Sequence, residues 1–268
     1  MEGEQIMPQL TYSYDMVVGV EGELADARQS TIVSRLAEGN VRFGRFVALG
    51  SNPDTQCRVV QTGTDVWGAK NHIGFSVATN AKEQKADGTV QYDDGEAVSI
   101  IKNGAILIKS ETAMTPTSDV FIRFQAKSQV YTLVFDATTV TGNEINGEIN
   151  GVAINPVTFA TSNANTLSLL ATEIANFSAD ILSAVSNGTD TITITSVIDK
   201  SVTVSNFVVT GGASQPTITA TQTEAGKPTS DVGIIRNTSD GGTAQDSPYL
   251  RVIRGCNAGE LATVEIEF

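Results

Sequence analysis

The stretch that decides the fold is VRFGRFVAL, Val41 to Leu49. Turn residues flank it, Ala37-Glu38-Gly39-Asn40 before and Gly50-Ser51-Asn52-Pro53 after. Valine and phenylalanine between such boundaries predict a β-strand. Val41, Phe43, Val47 and Leu49 alternate on one side, with Phe46 and Ala48 on the other. Gly44 offers a place for a bulge that would bring Phe46 onto the face of Phe43. A strand apolar on both faces belongs in the middle of a sandwich or small barrel, or beneath a partner chain.

Further strands follow outward from it. Gln56–Gln61 is short, and His72–Thr79 alternates, with Ile73, Phe75 and Val77 on one face. Asn80–Thr89 reads as a charged, exposed loop. Ala97–Lys102 and Ala105–Lys109 flank Asn103-Gly104, a hairpin signal because both turn positions need positive φ. Val120–Phe124 closes the set. Before these strands, residues 1–34 show no clear alternation. They read as an extended arm with at most a short strand. Tyr12, Tyr14, Met16, Val17, Val18 and Val20 give the arm an apolar patch, which calls for a surface of its own domain or of a neighbour.

Composition changes near Gln125. Between Gln125 and Thr223 only Lys127 and Lys200 are basic, and 18 residues are threonine. Asn146-Gly147 and Asn150-Gly151 lie among Ile145, Ile149 and Ile154 in a hairpin-like pattern. Leu167, Leu170, Ala171, Ile174 and Phe177 recur at helical spacing, with Asn163 or Asn165 as the cap. Strands are expected at Tyr131–Phe135, Ile181–Val185, Thr191–Ser196, Val202–Thr210 and Thr217–Thr221, then at Val232–Ile235, Tyr249–Ile253 and Leu261–Phe268. The expected fold is mainly β. Residues 35–124 and 224–268 form a small β-barrel or sandwich. It is interrupted by 125–223, a protruding α+β domain with one helix.

The 268 residues carry a formal net charge of −13. Such a balance excludes a phosphate-binding stripe, so no nucleic acid is expected, and no anionic membrane surface. No apolar run reaches 18 residues. The start, MEGEQIMPQL, lacks the basic and apolar regions of a signal peptide, so synthesis and use in the cytoplasm are expected. Cys57 and Cys256 are then expected to be reduced and unbridged.

Chemistry-bearing patterns are sparse. His72 is the single histidine, and a triad would need it beside Asp65 or Asp87. No G-x-S-x-G elbow is present. Asp93-Asp94-Gly95-Glu96 is half a calcium loop without the full ligand spacing, and reads as a solvated turn. Glu144 and Glu148 are a formal glycosidase pair that nothing distinguishes from other acids. Gly211-Gly212 precedes neither helix nor lysine, so it lacks the phosphate-cradle pattern. Trp67 suits a core plug or an interface anchor equally. No enzyme activity, metal or cofactor is expected.

Several pieces in order resemble the phage structural cement, or head decoration, proteins. They are the tyrosine-containing arm, EGNVRFGRFVALG (Glu38–Gly50), GFSVAT (Gly74–Thr79), QYDDGEAVSIIKNGAILI (Gln91–Ile108) and GELATVEIEF (Gly259–Phe268). The resemblance implies a small β-barrel or sandwich that coats the outside of a capsid and joins capsomers without catalysis. It implies the major capsid protein and further copies of the chain as partners. Tyr12, Tyr14, Met16, Val18, Phe43, Phe46 and Trp67 are then the expected contacts. Residues 125–223 depart from the family pattern and look like a displayed module, with a surface glycan as a candidate ligand. The alternative reading is a tail or fibre component with a carbohydrate- or receptor-binding module. A glycan-degrading enzyme is a third, and the missing export signal weighs against it.

Overall fold

The computed structural model describes residues 19–25, 29–67, 72–82, 86 and 89–267. The chain divides into two compact units, Met1–Ile122 with Gly233–Phe268, and Arg123–Val232. Both are built mainly from strands.

The first unit begins with β1 (Thr31–Ala37), followed by β2 (Val41–Arg42), β3 (Phe46–Leu49) and β4 (Gln56–Val59). A single-turn helix, α1 (Gly63–Trp67), leads to β5 (His72–Ser76), β6 (Gln91–Tyr92), the long β7 (Ala97–Lys109) and β8 (Phe121–Arg123). Strands β1, β4, β3, β5 and β7 pair in that order, and β7 pairs back to β1, closing a five-stranded barrel. Every neighbouring pair is antiparallel except β1–β4, which is parallel through Leu36 with Gln56 and Ala37 with Cys57. Closure removes the free edges that an open sheet would expose. Ala37, Val47, Cys57, Ile73, Val98 and Ile100 pack together with Phe43 and Tyr92. These are mostly short or β-branched side chains, the size a narrow barrel admits.

The opening stretch is not one strand. Phe43 and Gly44 form a turn between β2 and β3, with Gly44 at φ 68°. The Gly44 N–H donates to the Ser76 carbonyl at 2.9 Å. A Cβ on Gly44 would lie 3.1 Å from the Gly22 nitrogen and closer still to the Glu21 side chain. The crowding explains a full turn where the sequence suggested a bulge. The two-sided apolar character survives in β3, where Phe46, Val47 and Ala48 are all fully buried.

Asn103-Gly104 is not a hairpin turn either. It lies inside β7, where the strand changes partners. Residues 97–103 pair with β1, and 103–109 pair with the C-terminal strand of the chain. Asn103 aligns with Thr31 on one side and Glu267 on the other, so the ladder runs through the dipeptide. Gly104, at φ 125°, supplies the bend as the strand leaves the barrel.

The end of the stretch expected to be an arm is sheet. β1 starts at Thr31, and Gly22–Ala25 lies along β7. There Gly22 N–H donates to Leu107 O, Leu107 N–H to Glu23 O and Ala25 N–H to Ala105 O, at 2.8–2.9 Å. Arg45, nearly fully buried, pairs with Glu21. Residues 1–18 lie outside the described residues.

The second unit holds β9 (Val130–Phe135), β10 (Asn143–Ile149), β11 (Val152–Ala153), β12 (Val157–Thr158), α2 (Asn163–Phe177), β13 (Ile181–Ser186), β14 (Thr191–Ser196), β15 (Val204–Gly211) and β16 (Ile218–Glu224). One antiparallel sheet runs β13-β14-β9-β16, and β10 gathers β11, β12 and β15 into another. Leu133, Ile145, Ile149, Leu167, Leu170 and Ile192, from both sheets and α2, share one core. Asn150-Gly151 forms the β10–β11 turn, with φ 53° and 74°, the double positive φ of a tight hairpin. Asn146-Gly147 instead sits within β10, where the register against β15 shifts between Asn146 and Glu148. A Cβ on Gly147 would fall 2.6 Å from the Phe207 ring, so the missing side chain makes room for that ring.

The helix cap is Ser162 rather than Asn163 or Asn165. Its side chain accepts from the Asn165 N–H at 3.2 Å. Ser162→Ala is expected to lower the stability of this unit by about 1 kcal/mol, read by urea denaturation.

The chain then returns to the first unit with β17 (Ile235–Arg236), β18 (Ala244–Asp246), β19 (Leu250–Arg254) and β20 (Leu261–Glu267). β20 pairs along the outer half of β7 and β19 along β20, extending the barrel wall to seven strands. β17, β8 and β18 form a small separate sheet.

Candidate functional site

The residues expected to contact a partner separate into two groups. Tyr12, Tyr14, Met16, Val18 and the Trp67 side chain lie outside the described residues. Phe43 and Phe46 are core residues. Phe46 is fully buried and meets Phe75 edge-on at 5.0 Å between ring centroids; Phe43 is 9% exposed and meets Tyr92 edge-on at 5.3 Å. Both rings spend their apolar surface inside the chain and present little to a partner. On the barrel exterior the exposed apolar side chains are instead Ile32 and Leu36, both on β1, with Val20 ahead of them.

His72, Asp65 and the Asp93–Glu96 acids are occupied in structural roles. His72 stacks against Tyr249 at 5.2 Å. The Asp65 carboxylate holds Arg58 through both oxygens at 3.0 and 3.1 Å, and accepts the N–H groups of Gln61 and Thr62. Burial pushes the Asp65 carboxyl up, but the Gln61 N–H, the Arg58 guanidinium and the Thr62 N–H together hold it below the usual carboxylate range. Asp94 accepts the Gly39 N–H at 2.7 Å, and Glu96 accepts the Asp93 N–H while pairing with Lys82. The acidic segment is therefore a pinned turn.

Glu144 and Glu148 stand four residues apart on β10, roughly 13–14 Å along an extended strand. The two carboxylates do not share a partner. Asn146 donates to Glu144 at 3.2 Å and Asn206 to Glu148 at 2.7 Å. Among the described residues no three His, Cys, Asp or Glu side chains converge as a metal site. Both cysteines are free thiols. Burial in the barrel raises Cys57 to about 11, and burial also raises Cys256 above the usual thiol range.

A cleft of about 300 Å³ in the second unit is lined by Lys127, Lys200 and Lys227. Its lysines already meet acids. Lys127 lies 3.1 Å from Glu224, and Lys200 lies 3.6 Å from Asp180. Asp199 in the same lining accepts from the Thr229 hydroxyl at 2.7 Å. The lining sets three lysines beside Asp199, and two of the lysines are paired with acids.

The surface is more informative than any cleft. Sequence reasoning looked for aromatic contacts and passed over an uncharged sheet face in the second unit. The signal was present in TITITS, Thr191–Ser196, whose threonines alternate with core isoleucines.

No helix among the described residues is long and apolar enough to cross a membrane. No curated protein matches the chain. A solved structure from Mycobacterium phage Patience aligns over 87% of this chain and 90% of its own, at 15% identity and a TM-score of 0.38, too low a likeness to bear on function. The family model described as structural cement protein (E217 gp24/Pam3 gp6) matches residues 8–176. The match runs through the barrel strands and on across β9–β12 into α2. Part of the segment read from sequence as foreign to the family therefore aligns with it. On that match, which spans well over half of the sequence, the chain belongs to the phage structural cement protein family.

Proposed function

We propose that this phage structural protein binds the outer surface of the capsid and stabilises contacts between neighbouring capsomers. The observation that carries the reading is the family match over residues 8–176. Several physical features support it. The five barrel strands are each paired on both sides, which makes the barrel a self-contained body. The chain is fixed to that body from Glu21 to Ala25. On this reading Tyr12, Tyr14, Met16 and Val18 make the capsid contact, and the second unit is a displayed module. Repeated copies on a lattice turn a weak contact into a lasting one through effective concentration. The net charge of −13 limits non-specific association of unassembled copies. The partners are the major capsid protein and other copies of the chain, with no catalytic step.

The test uses heads lacking this protein, to which the full chain or a form lacking residues 1–18 is added back. The full chain is expected to co-sediment with heads and raise their thermal disruption temperature. The shortened form should keep its circular dichroism spectrum and bind at least tenfold more weakly. Equal binding by both forms would move the contact off the N-terminal segment. Binding by neither would contradict the capsid reading.

A further inference from the structure

The outward face of the sheet β13-β14-β9-β16 is uncharged. Its strands read ILSAVS, TITITS, VYTLVF and ITATQTE, with no charge before Glu224 at one corner. There Glu224 pairs with Lys127 at 3.1 Å. Alternate residues turn inward, so Ile192, Ile194, Leu133 and Phe135 are core. The outward set is valine, threonine, serine and leucine. One cross-strand row runs Val185, Thr193, Thr132 and Thr221, and the next places Val134 beside Thr219. Val185 is 61% exposed and Val134 41%.

A chain with a net charge of −13 has no need of a neutral face for solubility, and depletion of charged residues is a compositional mark of an interface. The chemistry narrows the occupant. A charged partner surface would be stripped of water here with no counter-charge to meet it. A sugar ring would find no aromatic platform, because Tyr131 and Phe135 pack toward the core. The face does match itself. Threonine hydroxyls both donate and accept, and valine methyl groups pack between them. A two-fold contact requires that self-complementarity.

We propose that this face is a self-association surface, on which two copies of the chain pack their second units face to face. Four strands and about five residues per strand give a plan area of roughly 320 Å² per copy. Two such faces, with side-chain relief, bury on the order of 700–1,000 Å², the size of a weak and reversible interface. The pairing does not rest on the capsid reading. It is read on the free protein with no capsid present, so failure of either leaves the other standing.

Sedimentation equilibrium of the full chain, from about 1 µM to about 1 mM, tests the pairing. A monomer–dimer equilibrium is expected, with a dissociation constant on the order of 0.1 mM. It should tighten as added salt screens repulsion between the acidic copies. The double variant Thr132→Lys/Thr193→Lys places like charges at the centre of the face and should weaken association at least tenfold. Thr221→Lys, on the exposed edge strand where folding is least at risk, should weaken it in the same direction. Leu169→Lys, on an exposed position of α2, should leave it unchanged. A chain that stays monomeric throughout, or association that ignores both the double variant and Thr221→Lys, overturns the proposal.

Discussion

Gly74→Ala is expected to cost about 4 kcal/mol or more and to lower the melting midpoint by roughly 10 °C. Gly74 sits in β5 at φ 146°, beside Val47 of β3 and against β7. A Cβ placed there would lie 1.9 Å from the Ile101 carbonyl oxygen and 2.9 Å from its carbon. Both are backbone atoms of the adjacent strand, so no side-chain rotation relieves the overlap. β5 would have to leave β7, and that pairing is one of the five that close the barrel. The backbone conformation adds strain, because a residue with a side chain rarely adopts it. Urea denaturation or calorimetry of the variant checks the prediction, and a loss under about 1 kcal/mol would mean that β5 and β7 are not so closely joined.

Arg236→Met is expected to destabilise the first unit by about 3–5 kcal/mol. The Arg236 guanidinium lies 3.0 Å from Glu111 and 2.6 Å from Asp240, and also donates to the Thr238 hydroxyl at 2.9 Å. The Glu111 side chain is 1% exposed and that of Arg236 8%. Removing the cation takes the guanidinium away from a buried carboxylate, and that loss is the main cost. The pair itself is worth far less, because both groups were taken out of water to make it. The double variant Arg236→Met/Glu111→Leu should therefore recover most of the loss. If the double variant is as unstable as the sum of its single variants, the two side chains are not coupled.

The mainly β fold was legible because its strand segments are bounded by turn residues and mostly alternate. The central position of Phe46–Leu49 was legible too, because apolar residues on both faces leave a strand nowhere else to go. What the sequence hid is long-range. Asn103-Gly104 carries the local chemistry of a hairpin, yet partners on both sides hold β7 extended through it. No local pattern reports those partners. β1 escaped notice because its pattern is inverted. Ile32 and Leu36 face out at 44% exposure, while Arg35 lies on the same side of the strand as the buried Ala37. Two of the expected contacts, Phe43 and Phe46, lie in the core for a related reason. Hydrophobicity marks Phe43 and Phe46 as residues that must be covered, and says nothing of whether their own chain or another covers them. The outward threonines of β14 and β16 were visible as composition, but only the register of four strands shows that they share one neutral face.

Cryo-electron microscopy of intact virions tests the central claim most directly. The account predicts density that fits the closed barrel at repeated sites across the outer surface of the head, bridging adjacent capsomers. Density confined to the tail, or a head surface free of this chain, would contradict it.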